Sequence, residues 1–251
     1  MKMSSNCRRS EKALDADYSV EVEWGIFRRR LNRFTAQVYI ESETPETVYV
    51  PSTGRMKELL VPGAPIGLLY RPSSNRKTAY TAAFVRHGET IVSIDAHLPN
   101  KLMGQWLTEG RLAPLPRMEQ VRPEVGFGSS RFDFAGYSGQ RQYLIEVKSV
   151  TLVEDGVAMF PDAPTKRGER HIRELITALD YGLHAVVVFV IQRGDGRVFT
   201  PNAASDEDFA RAVQEAHAAG VQFLAYRYEV TTDRSQQEVQ IRLAGQVPVE
   251  I

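Results

Sequence analysis

The sequence predicts a mixed α+β protein of two domains, a small β-barrel followed by a larger α/β domain with a mixed sheet. Residues 21–94 contain short stretches of alternating apolar and polar residues, separated by turn pairs such as Pro62-Gly63. Several short strands at regular spacing are typical of a barrel. After Pro99, helical and strand-like periodicities alternate, which is typical of a sheet covered by helices. The expected limits are a disordered tail over 1–20, a barrel over 21–98 and an α/β domain over 99–251.

Composition is that of a water-soluble globular protein. The 251 residues are 43% hydrophobic and 25% charged, with a formal net charge of zero, so overall charge gives no nucleic-acid signature. The lone Cys7 excludes an intramolecular disulfide and a cysteine-rich zinc site. No run approaches the roughly 18 apolar residues of a membrane span, and the N-terminal stretch has no apolar signal core. We therefore expect a cytoplasmic protein with no membrane partner, whose oligomeric state is unknown.

Six strand-like stretches divide the first domain, at residues 20–24, 34–40, 47–50, 66–70, 78–85 and 90–94. Five or six short strands suit an OB-like barrel. The connections carry a set of cations that are candidates for DNA binding: Arg29, Arg30, Arg33, Arg55, Lys57, Arg76 and Lys77. OB folds hold single strands with positive loops and aromatic platforms. The alternative is that the cations are merely solvated and that aromatics such as Phe27 and Phe34 fill the core.

The second domain has clear helix boundaries. One helix is expected from Pro99 to Glu109, ended by Gly110, and another is expected to begin at an N-cap, Thr165. A third is expected over 205–219, capped by Ser205. The apolar run over 185–191 is typical of a strand covered on both faces. Together with strand-like segments over 120–148, these elements predict a three-strand meander followed by βαβ units.

Two of the predicted strands carry ionisable residues. Asp133 lies between two phenylalanines on the first, and Glu146 and Lys148 flank Val147 on the second. A connection containing glycine and serine joins them, so a hairpin would bring Asp133 and Glu146 side by side. Adjacent carboxylates repel, and a divalent cation offsets that repulsion; Mg²⁺ is usually held by one or two carboxylates plus waters. A neighbouring lysine can orient a water or stabilise a phosphate.

This Asp…Glu-x-Lys arrangement resembles the core of the PD-(D/E)xK nucleases. By itself it also fits a solvated strand edge or a cross-strand ion pair. Arg167 and His171, on a flank of the second predicted helix, are secondary candidates for the same site. The alternative for His171 is a capping or packing role, because it lies next to the buried stripe of that helix.

Motifs spread over nearly the whole chain are more specific. They are residues 29–34 (RRLNRF), 51–60 (PSTGRMKELL), 76–78, 98–100, 130–134 (SRFDF), 145–152 (IEVKSVTL), 160–163 (FPDA), 167–168 with His171, and 220–226. On these motifs the chain resembles the sugar fermentation stimulation protein A family. One position departs from the family pattern, since the family typically has asparagine where this chain has Ser52.

The resemblance implies an N-terminal OB-like domain and a C-terminal PD-(D/E)xK nuclease-like domain. It implies DNA as the partner and a link to the regulation of maltose and sugar metabolism. Asp133 and Glu146 would be metal ligands for Mg²⁺ or Mn²⁺, the Val147 carbonyl would complete the coordination, and Lys148 would be the nuclease-type lysine. Glu124 is a candidate for a further acid.

Three functions remain open at this point. The first is a DNA-binding regulator with a magnesium-binding, nuclease-like site. The second is an active Mg²⁺-dependent DNA endonuclease or exonuclease, that is, a phosphodiesterase. The third is a non-catalytic partner-binding module. The intact Asp133, Glu146 and Lys148 set favours an enzyme, whereas the name of the family favours a regulator. We expect DNA binding, and the sequence leaves cleavage open.

Overall fold

The first part of the chain forms a closed barrel. In this computed structural model, which describes residues 16–72 and 77–251, the first seven strands are β1 (Tyr18–Glu21), β2 (Glu23–Arg30), β3 (Thr35–Tyr39), β4 (Glu46–Tyr49), β5 (Pro65–Tyr70), β6 (Tyr80–His87) and β7 (Thr90–Ser93). Five strands pair in the order β4-β3-β2-β5-β6, and a pairing of β4 with β6 closes the barrel. Strand β7 extends the sheet beside β6. The OB-like barrel expected from the sequence is therefore confirmed.

Alternation along the strands explains how the barrel is filled. Inward-facing aliphatic side chains such as Val38, Val48 and Leu68 are fully buried, because successive residues of a strand point to opposite faces. The aromatic residues divide between two environments. Phe27 belongs to this core, whereas Phe34, at the end of the β2–β3 loop, is 47% exposed. Core packing therefore accounts for Phe27, and it does not account for Phe34.

The second part is an α/β domain with a mixed sheet. Its elements are α1 (Leu98–Glu109), β8 (Glu119–Phe127), β9 (Ser130–Ser138), β10 (Arg141–Val150), β11 (Leu152–Glu154), β12 (Val157–Phe160), α2 (Lys166–Asp180), β13 (His184–Ile191), β14 (Val198–Pro201), α3 (Glu207–Ala219), β15 (Gln222–Thr232) and β16 (Glu238–Val247). The large sheet has the order β1-β16-β15-β13-β10-β9-β8, and β11, β12 and β14 form a small one. Strand β13 pairs in parallel with β10 and β15, and the other pairs of the large sheet are antiparallel.

Helices cover both faces of the large sheet. Ile145 of β10 packs in one core with Trp106 of α1, while its neighbour Leu144 packs in the other core with Ile172 of α2. Strand β13 is likewise buried on both faces, as its continuous apolar run predicts. Among the described residues, no helix combines the length and apolar character needed to cross a membrane. The alternation along β10 therefore decides which of its residues face α2.

The start of the chain differs from the expectation. Tyr18–Glu21 form β1, which pairs antiparallel with β16 at the edge of the large sheet, whereas the sequence predicts a disordered tail through residue 20. The pairing partner of β1 lies more than 200 residues later in the chain, so no local pattern reveals it. Residues 1–15, including Cys7, lie outside the described residues.

The third helix begins one residue later than expected. Asp206, not Ser205, is its N-cap, and the Asp206 carboxylate accepts a hydrogen bond from the Phe209 amide at 3.1 Å. A carboxylate is favoured at this place because it also interacts with the positive end of the helix dipole. The other two boundaries are as predicted: Gly110 ends α1 with φ 70°, and Thr165 caps α2.

The barrel loop over residues 51–60 is held by the α/β domain. Oδ2 of Asp162, which follows β12, accepts hydrogen bonds from the amides of Arg55 at 2.7 Å and Met56 at 3.2 Å. Gln192 makes a second connection, because its backbone carbonyl accepts from the Ser93 amide at 2.9 Å and its side-chain Oε1 accepts from Ser93 Oγ at 3.2 Å. Backbone amides of the barrel therefore donate hydrogen bonds to the α/β domain across the contact.

Asp162→Ala is expected to loosen this contact, because two loop amides lose their acceptor. Leaving a hydrogen-bonding group without its partner costs about 1–3 kcal/mol, and the free energy of unfolding is expected to fall by that amount. Denaturant unfolding measures the loss, and faster hydrogen exchange at the Arg55 and Met56 amides would locate it. Glu89→Ala, at an exposed turn, is the control, with an expected change within about 0.5 kcal/mol. Unchanged exchange at both amides would contradict the role of Asp162.

Candidate metal and nucleic-acid site

The site lies where β9 and β10 stop pairing. The ladder between them ends at Phe134 opposite Ile145, and Asp133 and Glu146 are the next residue on each strand. The Val147 amide donates to Asp133 Oδ2 at 2.8 Å, so a side-chain carboxylate takes the acceptor position that a strand carbonyl would otherwise fill. The structure thus brings the two predicted acids together at one strand end.

Asp133 is held on its other oxygen by a residue that the sequence analysis does not single out. Asn100, in the first turn of α1, donates from Nδ2 to Asp133 Oδ1 at 2.7 Å. Both carboxylate oxygens therefore have a fixed donor, and the remaining lone pairs are available to a ligand. Asn100 belongs to a short motif at a helix start, and its relation to Asp133 depends on how α1 packs against the sheet.

Glu146 is the more deeply buried acid, with an exposed fraction of 3%. Its Oε1 is contacted by His171 Nδ1 at 2.7 Å and by the Lys148 ammonium. Its Oε2 is buried and has no hydrogen-bond partner among the residues that the structure describes. A buried carboxylate oxygen without a donor is unfavourable, which makes this atom the natural contact for a cation.

The two acids differ in how readily they ionise. Burial raises the pKa of the Asp133 carboxyl above its ordinary value, and repulsion by Glu146 raises it further, against the opposing hydrogen bond from Val147. Burial also disfavours ionised Glu146, but Lys148 and His171 outweigh it and hold its pKa below the usual range. Added positive charge nearby would favour ionisation of both acids.

His171 connects the site to the start of α2. Thr165 Oγ1 accepts from the Gly168 amide at 3.0 Å and so fixes where the helix begins. Arg167 and His171 are one turn apart, and Arg167 Nε donates to His171 Nε2 at 3.3 Å. The secondary candidates from the sequence therefore form a chain that ends on Glu146.

Lys148 opens onto a cleft of about 850 Å³ between the barrel and the α/β domain. The barrel loops supply three cations to the lining, Arg33, Arg55 and Lys57. Their side chains are exposed and form no ion pair with other described residues. With Lys148 and with Arg30, the last residue of β2, five cationic residues line one groove at the interface of the two domains, and this charge suits an anionic chain.

Of these five, Arg30 differs because both terminal nitrogens of its guanidinium already have partners. Nη1 donates to the Gly54 carbonyl at 2.6 Å, and Nη2 donates to the carbonyls of Ser52 and Arg33, each at 2.7 Å. Burial lowers its pKa from the ordinary value without removing the charge. Arg30 therefore joins the two barrel loops that carry the exposed cations. Arg33 and Arg55 have exposed side chains, so they fit the expected direct contact with DNA better than Arg30 does.

The remaining predicted residues lie outside the cleft. Arg29 donates to Gln37 at 3.0 Å and, like the exposed Lys77, is not part of the cleft lining. Arg76 lies outside the described residues. Glu124 lines a smaller cavity of about 430 Å³ together with Asp133, and its carboxylate pairs with Arg131 at 3.0 Å. The structure does not bring Glu124 into hydrogen-bond contact with Glu146 or Lys148.

The donor set suits a hard divalent cation. Within residues 16–72 and 77–251, no group of three or more His, Cys, Asp or Glu residues could hold a metal ion by itself. Zinc sites are built from three or four such side chains. Mg²⁺ and similar ions instead accept one or two carboxylates, a carbonyl and several waters, and Asp133, Glu146 and the Val147 carbonyl could supply the protein part of that shell.

Comparison with known proteins gives consistent matches for both domains. Residues 29–94 match the SfsA N-terminal OB domain, and residues 97–234 match the sugar fermentation stimulation protein RE domain. Sugar fermentation stimulation protein homologs from Alkaliphilus metalliredigens and Desulforamulus reducens are 44% and 39% identical, and the matches cover 83% and 90% of this chain. They cover 90% and 91% of those relatives.

A solved structure agrees over almost the full length. SfsA of Pyrococcus furiosus, in complex with Ca²⁺, superposes with a TM-score of 0.84 at 30% sequence identity. The match covers 94% of this chain and 99% of the archaeal chain. This confirms the barrel and the mixed-sheet domain, and the family expected from the motifs is confirmed as well. The chain belongs to the sugar fermentation stimulation protein family.

Proposed function

We propose that this protein binds DNA in the cleft between its domains and holds Mg²⁺ or Mn²⁺ on Asp133 and Glu146. The observation that carries the proposal is the buried Oε2 of Glu146, which has no partner among the described residues. Glu146 lies next to Asp133, and its Oε1 contacts Lys148, which lines the cation-rich groove. We further propose that it acts in the cytoplasm as a regulator linked to maltose and sugar metabolism. The regulatory role rests on the family resemblance alone, and the cytoplasmic setting rests on composition.

The metal proposal is supported by the chemistry of the ligands. Asp133 and Glu146 are oxygen donors on adjacent strands, and Val147 lies between Glu146 and Lys148 with its amide already bound to Asp133. The related archaeal SfsA was solved with Ca²⁺, which is also an oxygen-binding cation. When bound, such an ion neutralises phosphate charge and polarises the phosphoryl group.

The DNA proposal is supported by the position of the cations. Phosphate contacts from Arg and Lys supply most of the sequence-independent affinity for DNA. Arg33 and Arg55 stand on two barrel loops that Arg30 fastens together, so their spacing is fixed before DNA arrives. Lys148 faces the same groove with 12% of its side chain exposed and would contact a backbone phosphate near the metal site.

A phosphodiesterase is the second candidate function. The specific observation is that Asp133, Glu146 and Lys148 are all present at one strand end, with Lys148 lining the cleft. In that case Lys148 would hold the phosphate or orient the attacking water. A third candidate, a non-catalytic partner-binding module, has only the overall fold in its favour.

Metal binding is expected to depend on both acids. Calorimetry with Mg²⁺, Mn²⁺ and Ca²⁺ should detect binding to the wild type, with a rise in melting temperature by mass action. Asp133→Asn and Glu146→Gln are expected to abolish both signals, because each removes an anionic ligand. Glu154→Gln, an exposed acid on β11, should behave as wild type. Absence of wild-type binding, or equal binding by Asp133→Asn, would refute the site.

DNA affinity is expected to depend on the cleft cations more than on other barrel cations. Arg33→Ala/Arg55→Ala removes two cations from the cleft, and Arg29→Ala/Lys77→Ala removes two from elsewhere on the barrel. The first pair should weaken binding to many sequences and lower the slope of log affinity against log salt by about 2. The second pair should change little. Fluorescence anisotropy across a salt series measures both. Equal losses for the two pairs would show that net charge, not the cleft, decides affinity.

Cleavage decides between the regulator and the enzyme. Labelled single-stranded and double-stranded DNA would be incubated with pure protein, with and without Mg²⁺ or Mn²⁺. If the protein is a phosphodiesterase, metal-dependent cleavage should be lost in Lys148→Ala, because the group that holds the phosphate or orients the water is gone. Both carboxylate ligands of the metal remain in this variant. Arg29→Ala, which changes a cation outside the cleft, is the control. Metal and DNA binding without cleavage of either form would eliminate the phosphodiesterase and leave the regulator.

A further inference from the structure

We propose that His171 is a positioning residue for the metal site. It holds Glu146 by Oε1, leaving Oε2 to face the cation, and Arg167 fixes the ring proton on the nitrogen that faces Glu146. This inference rests on the proposed function, because it presupposes a cation bound by Asp133 and Glu146. It assigns to the start of α2 a role that the Asp…Glu-x-Lys motif does not contain.

The ring of His171 is fixed on three sides. It is 2% exposed, and its Nδ1 lies 2.7 Å from Glu146 Oε1. Its Nε2 lies 3.3 Å from Arg167 Nε, and its face packs against Phe132 with ring centroids 5.4 Å apart. Two occupied nitrogens and one packed face define the ring orientation. The carboxylate it contacts is therefore held in one rotamer.

Arg167 determines where the ring proton lies. A guanidinium N–H can only donate, so His171 Nε2 must accept with its lone pair. The ring proton then resides on Nδ1, where it is donated to Glu146 Oε1. The hydrogen bonds run in one direction, from Arg167 through His171 to Glu146. With the opposite tautomer, two donors would meet at Nε2 and a lone pair would face the carboxylate.

Glu146 shows the result of this arrangement. Its Oε1 receives hydrogen bonds from both His171 and Lys148, whereas Oε2 has no partner among the described residues. Both donors are thus concentrated on one oxygen, and the other is left for a ligand. A packing or capping histidine, the alternative considered from the sequence, would need no contact with a charged carboxylate.

Three substitutions at His171 separate a donor role from a packing role. Asn is short enough for its amide nitrogen to occupy the place of Nδ1, Gln places its amide nitrogen near Nε2, and Leu has no donor. Metal affinity, measured by calorimetry, is expected to fall roughly 10–100-fold in His171→Leu, the usual cost of removing a partner that orients a metal ligand. His171→Asn should stay near wild type, and His171→Gln should resemble His171→Leu. Melting in chelator checks that each variant is folded.

A direct measurement covers the case in which the buried variants fail to fold. Nitrogen-15 NMR of the histidine rings in the wild type should show His171 as the Nδ1–H tautomer. Arg167 is an exposed residue, so Arg167→Met should leave the fold intact. By removing the donor to Nε2, it should broaden or mix the His171 signal and weaken metal binding. An Nε2–H tautomer in the wild type would overturn the inference. So would wild-type metal affinity in both His171→Gln and Arg167→Met. Failure of the wild type to bind any cation would instead overturn the proposed function itself.

Discussion

A buried negative charge at Glu146 is the constraint around which the rest of this site is arranged. An ionised carboxylate removed from water is costly unless donors or a cation compensate it. Here Lys148 comes from the same strand two residues later, and His171 comes from α2. The second contact requires α2 to begin at a fixed residue, which the Thr165 cap provides, and to pack closely on β10, which its buried apolar stripe provides.

The two acids are supported from different elements, and this arrangement follows from the alternation of side chains in β10. Leu144 and Ile145 bind the strand to α2 on one face and to α1 on the other. Each helix then contributes one polar residue at the end of the strand pair, Asn100 from α1 and His171 from α2. The apolar cores therefore set the distances on which the polar contacts depend.

Sequence reasoning identified what is local and periodic. The spacing of Asp133, Glu146 and Lys148 was sufficient to place them at one strand end, and helix signals located α1 and α2. The contributions of Asn100 and Asp162 could not be predicted in this way, because each acts on a residue 33 or more positions away in the chain. The role of Arg30 could not be predicted from the sequence either. Its neighbours in the sequence indicate a solvated cation, whereas in the folded chain its terminal nitrogens donate to loop carbonyls.

Strand β1 gives the chain an unusual path. The chain enters the large sheet at β1, leaves it to build the whole barrel, and returns to complete the sheet with α1 and the later strands. In topological terms the barrel is an insertion into the α/β domain, and the residue 98 boundary does not separate two complete units. A fragment that starts at α1 would leave the outer edge of β16 without its neighbour. Long unpaired edges can recruit strands from other molecules, and proteins often end a sheet on a very short strand; β1, with four residues, is such an edge strand.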